Sequence, residues 1–226
     1  AILGATGYTG SEILKCILKH PKTRIKYLIG NKTVGKKICE IFSLYKGFKL
    51  PKIQSFEEVD LTKIDVLFSC MPNGSLTAII NKIPKEVLVI DLSADFRFKE
   101  SDLYEKYYFK HENKKFLKKF TYGLTELSRK KIISSKYISC PGCYPTSILL
   151  PLIPLIKSKK IKLNNIIVDS KSGITGAGRN VKQDLIFAEN YGSFKAYGNA
   201  DHRHTPEIEH NIYLLTKQKV KITFVP

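Results

Sequence analysis

A cysteine beside a tight turn is the feature of this sequence best suited to covalent chemistry. Cys143 directly follows Pro141 and Gly142, which force a sharp change of chain direction. The apolar run over residues 147–156 predicts a helix just after that turn. Backbone N–H groups at a helix N-terminus stabilise a thiolate and can also hold an oxyanion. Cys143 is therefore a candidate nucleophile, and a buried structural thiol is the alternative.

Two histidines flank an arginine in a second region that is suited to proton transfer. His202, Arg203 and His204 belong to a polar loop that is predicted to run to Thr205. Histidine has the side-chain pKa best matched to proton transfer near neutral pH. Thr205 and Pro206 have the residue types of a helix N-cap and a first helical position, so a helix is predicted from Pro206 to about residue 216. The alternative for either histidine is a surface ring without a chemical role.

Three glycines spaced three residues apart predict a turn that holds phosphate groups. The turn separates an opening strand, residues 1–3, from an amphipathic helix predicted over residues 11–20. Glycines at such a turn let a pyrophosphate approach the N-terminus of the helix. A turn needed only for packing is the alternative. The candidate cofactor-binding residues are Gly4, Ala5, Thr6, Gly7, Tyr8, Thr9 and Gly10.

The segment after the second predicted strand, residues 24–29, indicates which dinucleotide is bound. It contains Lys32 and no acidic residue, and a cation suits the 2′-phosphate of NADP better than the free hydroxyl of NAD. NADP(H) is therefore the predicted cofactor, with Lys32 among its ligands. A second glycine-rich stretch, residues 172–179, begins near Ser172 and Gly173. It is either a cradle for phosphate or nicotinamide, or a flexible crossing between domains.

The composition of the chain argues against several classes of protein. The 226 residues carry a net charge of +18, which comes mainly from lysines dispersed along the sequence. Nucleic-acid-binding surfaces favour clustered arginine with interleaved aromatic residues, so no nucleic-acid partner is expected. No apolar run approaches the roughly 18 residues of a membrane span, and no signal peptide is visible, so no membrane association is expected.

The cysteines indicate a reducing compartment. There are five, an odd number, and they are scattered along a chain large enough to fold without disulfides. Cys140 and Cys143 form a C-x-x-C pair, which leaves a redox pair open, but no second pair of ligands stands at the spacing of a zinc site. We therefore expect reduced thiols, a cytoplasmic protein and no bound metal.

Short apolar segments alternate with helical ones through the first part of the chain. Strands are predicted over residues 1–3, 24–29, 66–70 and 87–91, and helices over residues 11–20 and 75–82. This order predicts an α/β fold with a Rossmann-type, doubly wound parallel sheet over residues 1–142. A strand over residues 166–170, a helical segment over 181–189 and a strand over 219–224 predict a partial α+β catalytic and dimerisation domain over residues 143–226.

Six motifs, in order along essentially the whole chain, resemble those of the N-acetyl-γ-glutamyl-phosphate reductases. That family is similar in fold and mechanism to the aspartate-semialdehyde dehydrogenases. The motif PGCYPT at residues 141–146 and the motif HRHTPE at residues 202–207 separate the two families. The other matching stretches are residues 4–10, 91–97 (DLSADFR), 122–127 (YGLTEL) and 172–179.

The resemblance implies NADPH-dependent reduction of an acyl phosphate to an aldehyde in arginine biosynthesis. It implies that Cys143 attacks N-acetylglutamyl 5-phosphate, expels phosphate and forms a thioester, which is reduced to N-acetylglutamate 5-semialdehyde. His204 is the implied acid and base, with His202 as the alternative. Arg203 is expected to bind a substrate carboxylate or phosphate, and Glu209 to orient the imidazole or bind substrate. A nucleotide-binding regulator with the same fold and no chemistry is the second candidate, and a basic nucleic-acid-binding module is the third.

The sequence departs from that family in two ways. Cys140 stands where the family commonly has asparagine, so one hypothesis is that oxidation joins Cys140 to Cys143 and inactivates the enzyme. Unchanged activity in peroxide would contradict it. The family also continues well beyond the last residue here, and its opening strand begins earlier. The chain is therefore expected to be a fragment of a longer protein that forms homo-oligomers.

Overall fold

The chain folds into two compact units, residues 1–140 and residues 141–226. The computed structural model describes residues 1–198 and 201–226. Part of the polar loop predicted before Thr205, residues 199 and 200, lies outside the described residues. Each unit contains a sheet of its own.

The first unit is built on a seven-stranded sheet in which every pairing is parallel. The strands are β1 (Ile2–Leu3), β2 (Leu28–Ile29), β3 (Ile53–Gln54), β4 (Val66–Ser69), β5 (Leu88–Asp91), β6 (Thr121–Tyr122) and β7 (Tyr137–Ser139). Their order across the sheet is β3-β2-β1-β4-β5-β7-β6. The chain order reverses direction at β1, as in a doubly wound sheet, so the predicted fold class is confirmed.

Both faces of this sheet are buried. Successive side chains of a strand point to opposite sides, so neighbouring residues of β1 enter different apolar clusters. Ile2 of β1 packs into one apolar cluster with Leu14 and Tyr45, whereas the adjacent Leu3 packs into another with Leu67 and Phe120. A parallel sheet covered on both faces requires such continuous apolar runs. The same property made the central strands predictable from sequence.

Four helices accompany the sheet, and their bounds refine the predictions. They are α1 (Tyr8–Leu18), α2 (Ser75–Ile79), α3 (Ser101–Tyr107) and α4 (Thr125–Ile133). Helix α1 begins at Tyr8 and not at residue 11, so the helix starts inside the glycine turn. The predicted strand over residues 24–29 is wrong in its first four positions, since only Leu28 and Ile29 pair with neighbours. Helix α2 is followed directly by a short 3₁₀ turn, as the longer helix prediction over residues 75–82 partly anticipated.

The second unit packs two helices together beside a two-stranded parallel sheet. Its elements are α5 (Cys143–Lys157), β8 (Ile166–Asp169), α6 (Phe187–Asn190), α7 (His204–Thr216) and β9 (Ile222–Val225). Strands β8 and β9 pair in parallel, and α5 packs on α7. Leu149 and Ile153 of α5 and Ile212 of α7 are buried. No helix in the two described ranges is long and apolar enough to cross a membrane.

Two helix predictions in this unit need correction. The continuous helix over residues 181–189 is wrong: it is a 3₁₀ turn followed by α6, because Val181 and Phe187 are exposed and no apolar face is buried. Helix α7 begins at His204, so Thr205 and Pro206 lie within its first turn and are not its cap. A proline is tolerated there because first-turn N–H groups have no acceptor within the helix.

Candidate active site and cofactor-binding turn

The glycine turn between β1 and α1 has the close packing of a dinucleotide-binding turn. Gly4 has φ +79°, and a Cβ on it would lie 2.6 Å from the Cys70 carbonyl oxygen. A Cβ on Gly10 would lie 2.3 Å from the Gly4 carbonyl oxygen and 2.7 Å from the Cα of Ala5, so only glycine lets α1 pack onto the turn. A Cβ on Gly7 would meet nothing closer than 3.5 Å. These residues therefore fit a bound pyrophosphate, because the turn is tight and its middle stays open.

The loop that carries Lys32 lies beside this turn. The N–H groups of Gly4 and Ala5 both donate to the Ile29 carbonyl at the end of β2, at 2.9 and 3.1 Å. A Cβ on Gly30 would lie 3.9 Å from the Thr6 side chain, so the two loops approach each other directly. Lys32 is exposed in that loop. Tyr8 and Thr9, in the first turn of α1, are also exposed and Ala5 is buried.

A buried acid, Asp91, ends β5 at the same edge of the sheet. Its carboxylate accepts hydrogen bonds from the N–H and the hydroxyl of Ser93, at 3.0 and 2.8 Å. Burial raises the pKa of Asp91 to about 7, and the charge of Asp95 adds to the rise. Asp91 also influences Cys140, since burial first and the Asp91 charge second raise the pKa of that thiol to about 11. Cys140 is therefore protonated at neutral pH.

The raised pKa of Asp91 predicts a pH-dependent stability. Between its ordinary pKa of 3.8 and its folded pKa of about 7, the folded state holds a proton that the unfolded state has released. The stabilisation is complete below the lower value and is lost as the pH rises through the higher one. The free energy of unfolding of Asp91→Asn relative to the wild type should therefore rise by up to about 4 kcal/mol between pH 4 and pH 8. Denaturant unfolding at both pH values measures it, and a constant difference would contradict the expectation.

In the second unit, Cys143 is the first residue of α5 and is exposed. The preceding Gly142 is the N-cap residue, with φ −62° and ψ 159°, and the first turn of α5 contains no acidic residue. The N–H groups of Cys143 and Tyr144 have no acceptor within the helix, because they belong to its first turn. This placement matches the sequence prediction of a cysteine at or beside a helix N-terminus. It can stabilise both a thiolate and an oxyanion.

A buried glutamate of α7 fixes the turn that carries this cysteine. Glu207 is 0% exposed, and its Oε1 accepts a hydrogen bond of 2.9 Å from the N–H of Gly142. Glu209 was among the predicted site residues, whereas Glu207 was not. One carboxylate oxygen of Glu209 accepts the N–H of Ile222 in β9, at 2.9 Å. Glu207 could have been recognised by its position about one helical turn after His204. The helix was predicted to begin only at Pro206, so His204 was not counted as part of it.

Loss of the Glu207 carboxylate should weaken the fold of this unit. Glu207→Ala removes a buried acceptor and is expected to lower the free energy of unfolding by about 1–3 kcal/mol. Glu207→Gln keeps an oxygen for the Gly142 N–H and should lose clearly less. Denaturant unfolding of both variants measures the difference. Equal losses would contradict this expectation, because glutamine keeps both an oxygen acceptor and the buried side chain.

The two candidate histidines surround the ring of Tyr144, the residue after Cys143. The centroid of that ring lies 5.5 Å from His202 and 5.8 Å from His204. The Nδ1 of His202 accepts the N–H of His204 at 3.1 Å, and burial together with the charge of Arg203 lowers the pKa of His202. His202 is thus held neutral, with one ring nitrogen used to fix the start of α7.

The Tyr144 hydroxyl connects this group to the second glycine-rich stretch. It donates to the Ser172 hydroxyl at 2.9 Å and shares a 2.8 Å hydrogen bond with the Tyr197 hydroxyl. Burial and the bond to Tyr144 raise the pKa of Tyr197 to about 12, and Cys143 acts in the same direction. A Cβ on Gly173 would meet nothing within 4 Å, so packing inside the unit does not require that glycine. Ser172 is therefore placed within the candidate site and Gly173 lies in open space beside it.

The described residues contain no group of three or more His, Cys, Asp or Glu side chains arranged to hold a metal ion. In the second unit the candidate residues offer a thiol, two imidazoles and hydroxyl groups. In the first unit they offer a glycine turn with a nearby lysine. Such parts are suited to acyl transfer to a cysteine and to dinucleotide binding.

Two family models match the chain in succession. The NAD binding domain of semialdehyde dehydrogenase matches residues 1–135, and the dimerisation domain of semialdehyde dehydrogenase matches residues 143–226. The chain therefore belongs to the semialdehyde dehydrogenase family. Within that family it is similar to proteins named N-acetyl-gamma-glutamyl-phosphate reductase, so the resemblance carried by the six motifs is confirmed.

Two such relatives show the extent of the similarity. The protein of Ehrlichia canis (strain Jake) is 45% identical over 228 residues, which cover 100% of this chain and 66% of the relative. The probable chloroplastic protein of Oryza sativa subsp. japonica is 40% identical over 227 residues, which cover 100% of this chain and 55% of the relative. The chain thus spans slightly less than two thirds, or little more than half, of these relatives.

Solved structures share the fold. Aspartate semialdehyde dehydrogenase II from Vibrio cholerae superposes with a TM-score of 0.68 at 13% identity, over 99% of this chain and 68% of that one. Aspartate semialdehyde dehydrogenase with NADP from Candida albicans gives a TM-score of 0.59 at 17% identity, over 99% of this chain and 65% of that one. Identities this low establish the common fold alone.

Proposed function

We propose that this chain catalyses the NADPH-dependent reduction of N-acetyl-γ-glutamyl 5-phosphate to N-acetylglutamate 5-semialdehyde, with release of phosphate, in arginine biosynthesis. The observation that carries the proposal is the exposed Cys143 at the first position of α5, whose turn is held by the helix that opens at His204. The names of the relatives supply the substrate and the pathway.

The acylation step uses the residues of the second unit. His204 accepts the proton of the Cys143 thiol, and the thiolate attacks the γ-carbonyl carbon of the substrate. A C–S bond forms, the C–O bond to phosphate breaks, and phosphate leaves with the electron pair. The N–H groups in the first turn of α5 stabilise the oxyanion that forms during the attack. The product of this step is a thioester on Cys143.

The glycine turn, residues 4–10, would hold the pyrophosphate of NADP(H), and Lys32 its 2′-phosphate. NADPH, when bound, supplies the hydride that the thioester requires. Ser172 and Gly173 are proposed as further contacts of the cofactor, in keeping with the open space around Gly173. His204 then returns its proton to the developing oxygen, which gives a thiohemiacetal on Cys143. As the C–S bond breaks, His204 takes the hydroxyl proton, the aldehyde forms and Cys143 leaves as a thiolate.

Two residues at and within α7 are proposed to act on the substrate. Arg203 binds a carboxylate or phosphate of the substrate. Glu209 binds substrate or orients the imidazole, although one of its carboxylate oxygens already accepts the N–H of Ile222.

Residues 1–142 bind the cofactor and residues 143–226 carry the reacting groups. The protein acts in the cytoplasm as a homo-oligomer, in keeping with the matched dimerisation domain and with five free cysteines. Neither nucleic acid nor membrane is proposed as a partner.

The reverse reaction tests this function directly. Reduction of NADP⁺ is followed at 340 nm with N-acetylglutamate 5-semialdehyde, with phosphate present or omitted. Turnover that requires phosphate is expected, because phosphate must attack the thioester to release the acyl group. A folded protein that binds NADPH and shows no turnover would contradict the proposal and favour the regulator.

A further inference from the structure

The motif at residues 91–97 has no part in the proposed reaction. The carboxylate of its Asp95 nevertheless accepts hydrogen bonds from residues outside the motif. Asp95 is 0% exposed. Its carboxylate accepts the N–H of Gly74 at 2.6 Å, the N–H groups of Leu76 and Thr77 at 3.1 Å each, and the hydroxyl of Tyr104 at 3.1 Å. Three of these four donors belong to the segment that runs from the end of β4 through the first turn of α2, residues 70–77.

We propose that Asp95 is a positioning residue for the cofactor site: it holds the segment over residues 70–77 against the glycine turn. The inference rests on the proposed function, because it takes NADP(H) as the ligand of that turn. It assigns Asp95 a role without contact to the cofactor.

The segment and the glycine turn are in direct contact. Strand β4 pairs with β1, so both loops leave the same edge of the sheet. The N–H of Cys70 donates to the Leu3 carbonyl at 2.8 Å. A Cβ on Gly4 would lie 2.6 Å from the Cys70 carbonyl oxygen and 3.2 Å from the Sδ of Met71. A displacement of this segment therefore alters the surface that faces the turn.

The motif holds the segment by more than one bond. The side-chain oxygen of Asn73 accepts the N–H of Ala94 at 2.9 Å, in the opposite sense to the bonds of Asp95. Gly74 has φ +88°, a conformation that other residues rarely adopt, so the chain reverses there at the point where Asp95 binds it. On the far side, the Nε2 of His111 bonds to the carbonyl oxygen of Asp95 at 2.9 Å. The position of Asp95 is thus fixed independently of the segment.

A carboxylate is needed because both oxygens are in use. Oδ1 bonds to Gly74 and Tyr104, and Oδ2 bonds to Leu76 and Thr77. An asparagine offers one oxygen and turns an NH₂ group towards N–H donors, so either the bond to Gly74 or the two bonds to Leu76 and Thr77 are lost. Charge-assisted bonds of this kind are the strong ones. The segment is then released from its place beside Gly4.

The test compares Asp95→Asn with Tyr104→Phe in the full chain. The phenylalanine removes a bond to the same carboxylate but leaves the bonds to the segment. The dissociation constant of NADPH is measured by its fluorescence, together with the KM for NADPH, kcat and the thermal unfolding midpoint. Asp95→Asn is expected to weaken NADPH binding and raise its KM about tenfold, with kcat within about twofold. Tyr104→Phe should lower the unfolding midpoint and leave NADPH binding within about twofold.

An unchanged NADPH dissociation constant in Asp95→Asn, with lowered thermal stability, would overturn the proposal, because the carboxylate would then be structural only. If Asp95→Asn does not fold, Asn73→Ala takes its place, with weakened NADPH binding as the supporting result and unchanged binding as the overturning one. A wild type that binds NADPH without turnover would contradict the proposed function and leave this comparison intact. A wild type that does not bind NADPH would overturn both.

Discussion

Replacement of Cys143 by alanine is expected to lower turnover by about 10⁴-fold or more, because the proposed thioester forms on this thiol. Cys143 is the exposed first residue of α5, so its removal takes away the nucleophile and little packing. The dissociation constant of NADPH should stay within about twofold of the wild type. Steady-state turnover in the phosphate-dependent assay and a fluorescence titration with NADPH measure the two effects.

The neighbouring Cys140 provides the matched control. Burial raises its pKa to about 11, so it is a thiol at neutral pH and a poor nucleophile. Cys140→Ala should therefore keep turnover within a few-fold of the wild type. Substantial activity in Cys143→Ala would contradict the assignment of the nucleophile to Cys143. A loss in Cys140→Ala as deep as that in Cys143→Ala would contradict it as well.

Replacement of Gly10 by alanine is expected to have the largest effect on the glycine turn. The new Cβ would lie 2.3 Å from the Gly4 carbonyl oxygen, and the atoms that it would meet belong to the backbone, so α1 must shift. We expect a loss of about 3 kcal/mol in the free energy of unfolding, from overpacking. We also expect a loss of detectable NADPH binding, because the turn and the helix N-terminus separate.

Gly7→Ala is the control for this change. Its Cβ would lie 3.5 Å from the Gly4 carbonyl oxygen, which is an ordinary contact, and the φ of Gly7 is −80°. Its free energy of unfolding should stay within about 0.5 kcal/mol of the wild type. Urea unfolding of the two variants measures the contrast. Equal losses would mean that the spacing of the glycines, and not the close packing at Gly10, stabilises the turn.

The fold class could be predicted because the central strands are buried on both faces and appear as continuous apolar runs. The short strands β6 and β7 were not predicted, since Thr121–Tyr122 and Tyr137–Ser139 carry no such run. The starts of α1 and α7 were placed too late. In both cases glycine or proline in the first turn has the composition of a loop, and only the tertiary contacts show that the helix already includes it.

The residues of the candidate site also fall into two groups, those that one segment of the sequence predicts and those that it does not. Cys143 and His204 could be predicted as candidates because each depends on a local feature, a turn or the start of a helix. Glu207 and Asp95 could not, because their partners are distant in sequence: Gly142 is 65 residues from Glu207, and Gly74 is 21 residues from Asp95. A pattern within one segment contains no information about such pairs. The roles that depend on them appear only when the chain is folded.

The most direct test of the central claim is acylation of Cys143 in the absence of NADPH. The protein is mixed with N-acetylglutamyl 5-phosphate, released phosphate is followed over time, and the peptide that carries the acyl group is identified by mass spectrometry. The account predicts a rapid burst of about one phosphate per chain and an acyl group on Cys143, both missing in Cys143→Ala. Phosphate release only when NADPH is present, or an acyl group on another residue, would contradict it.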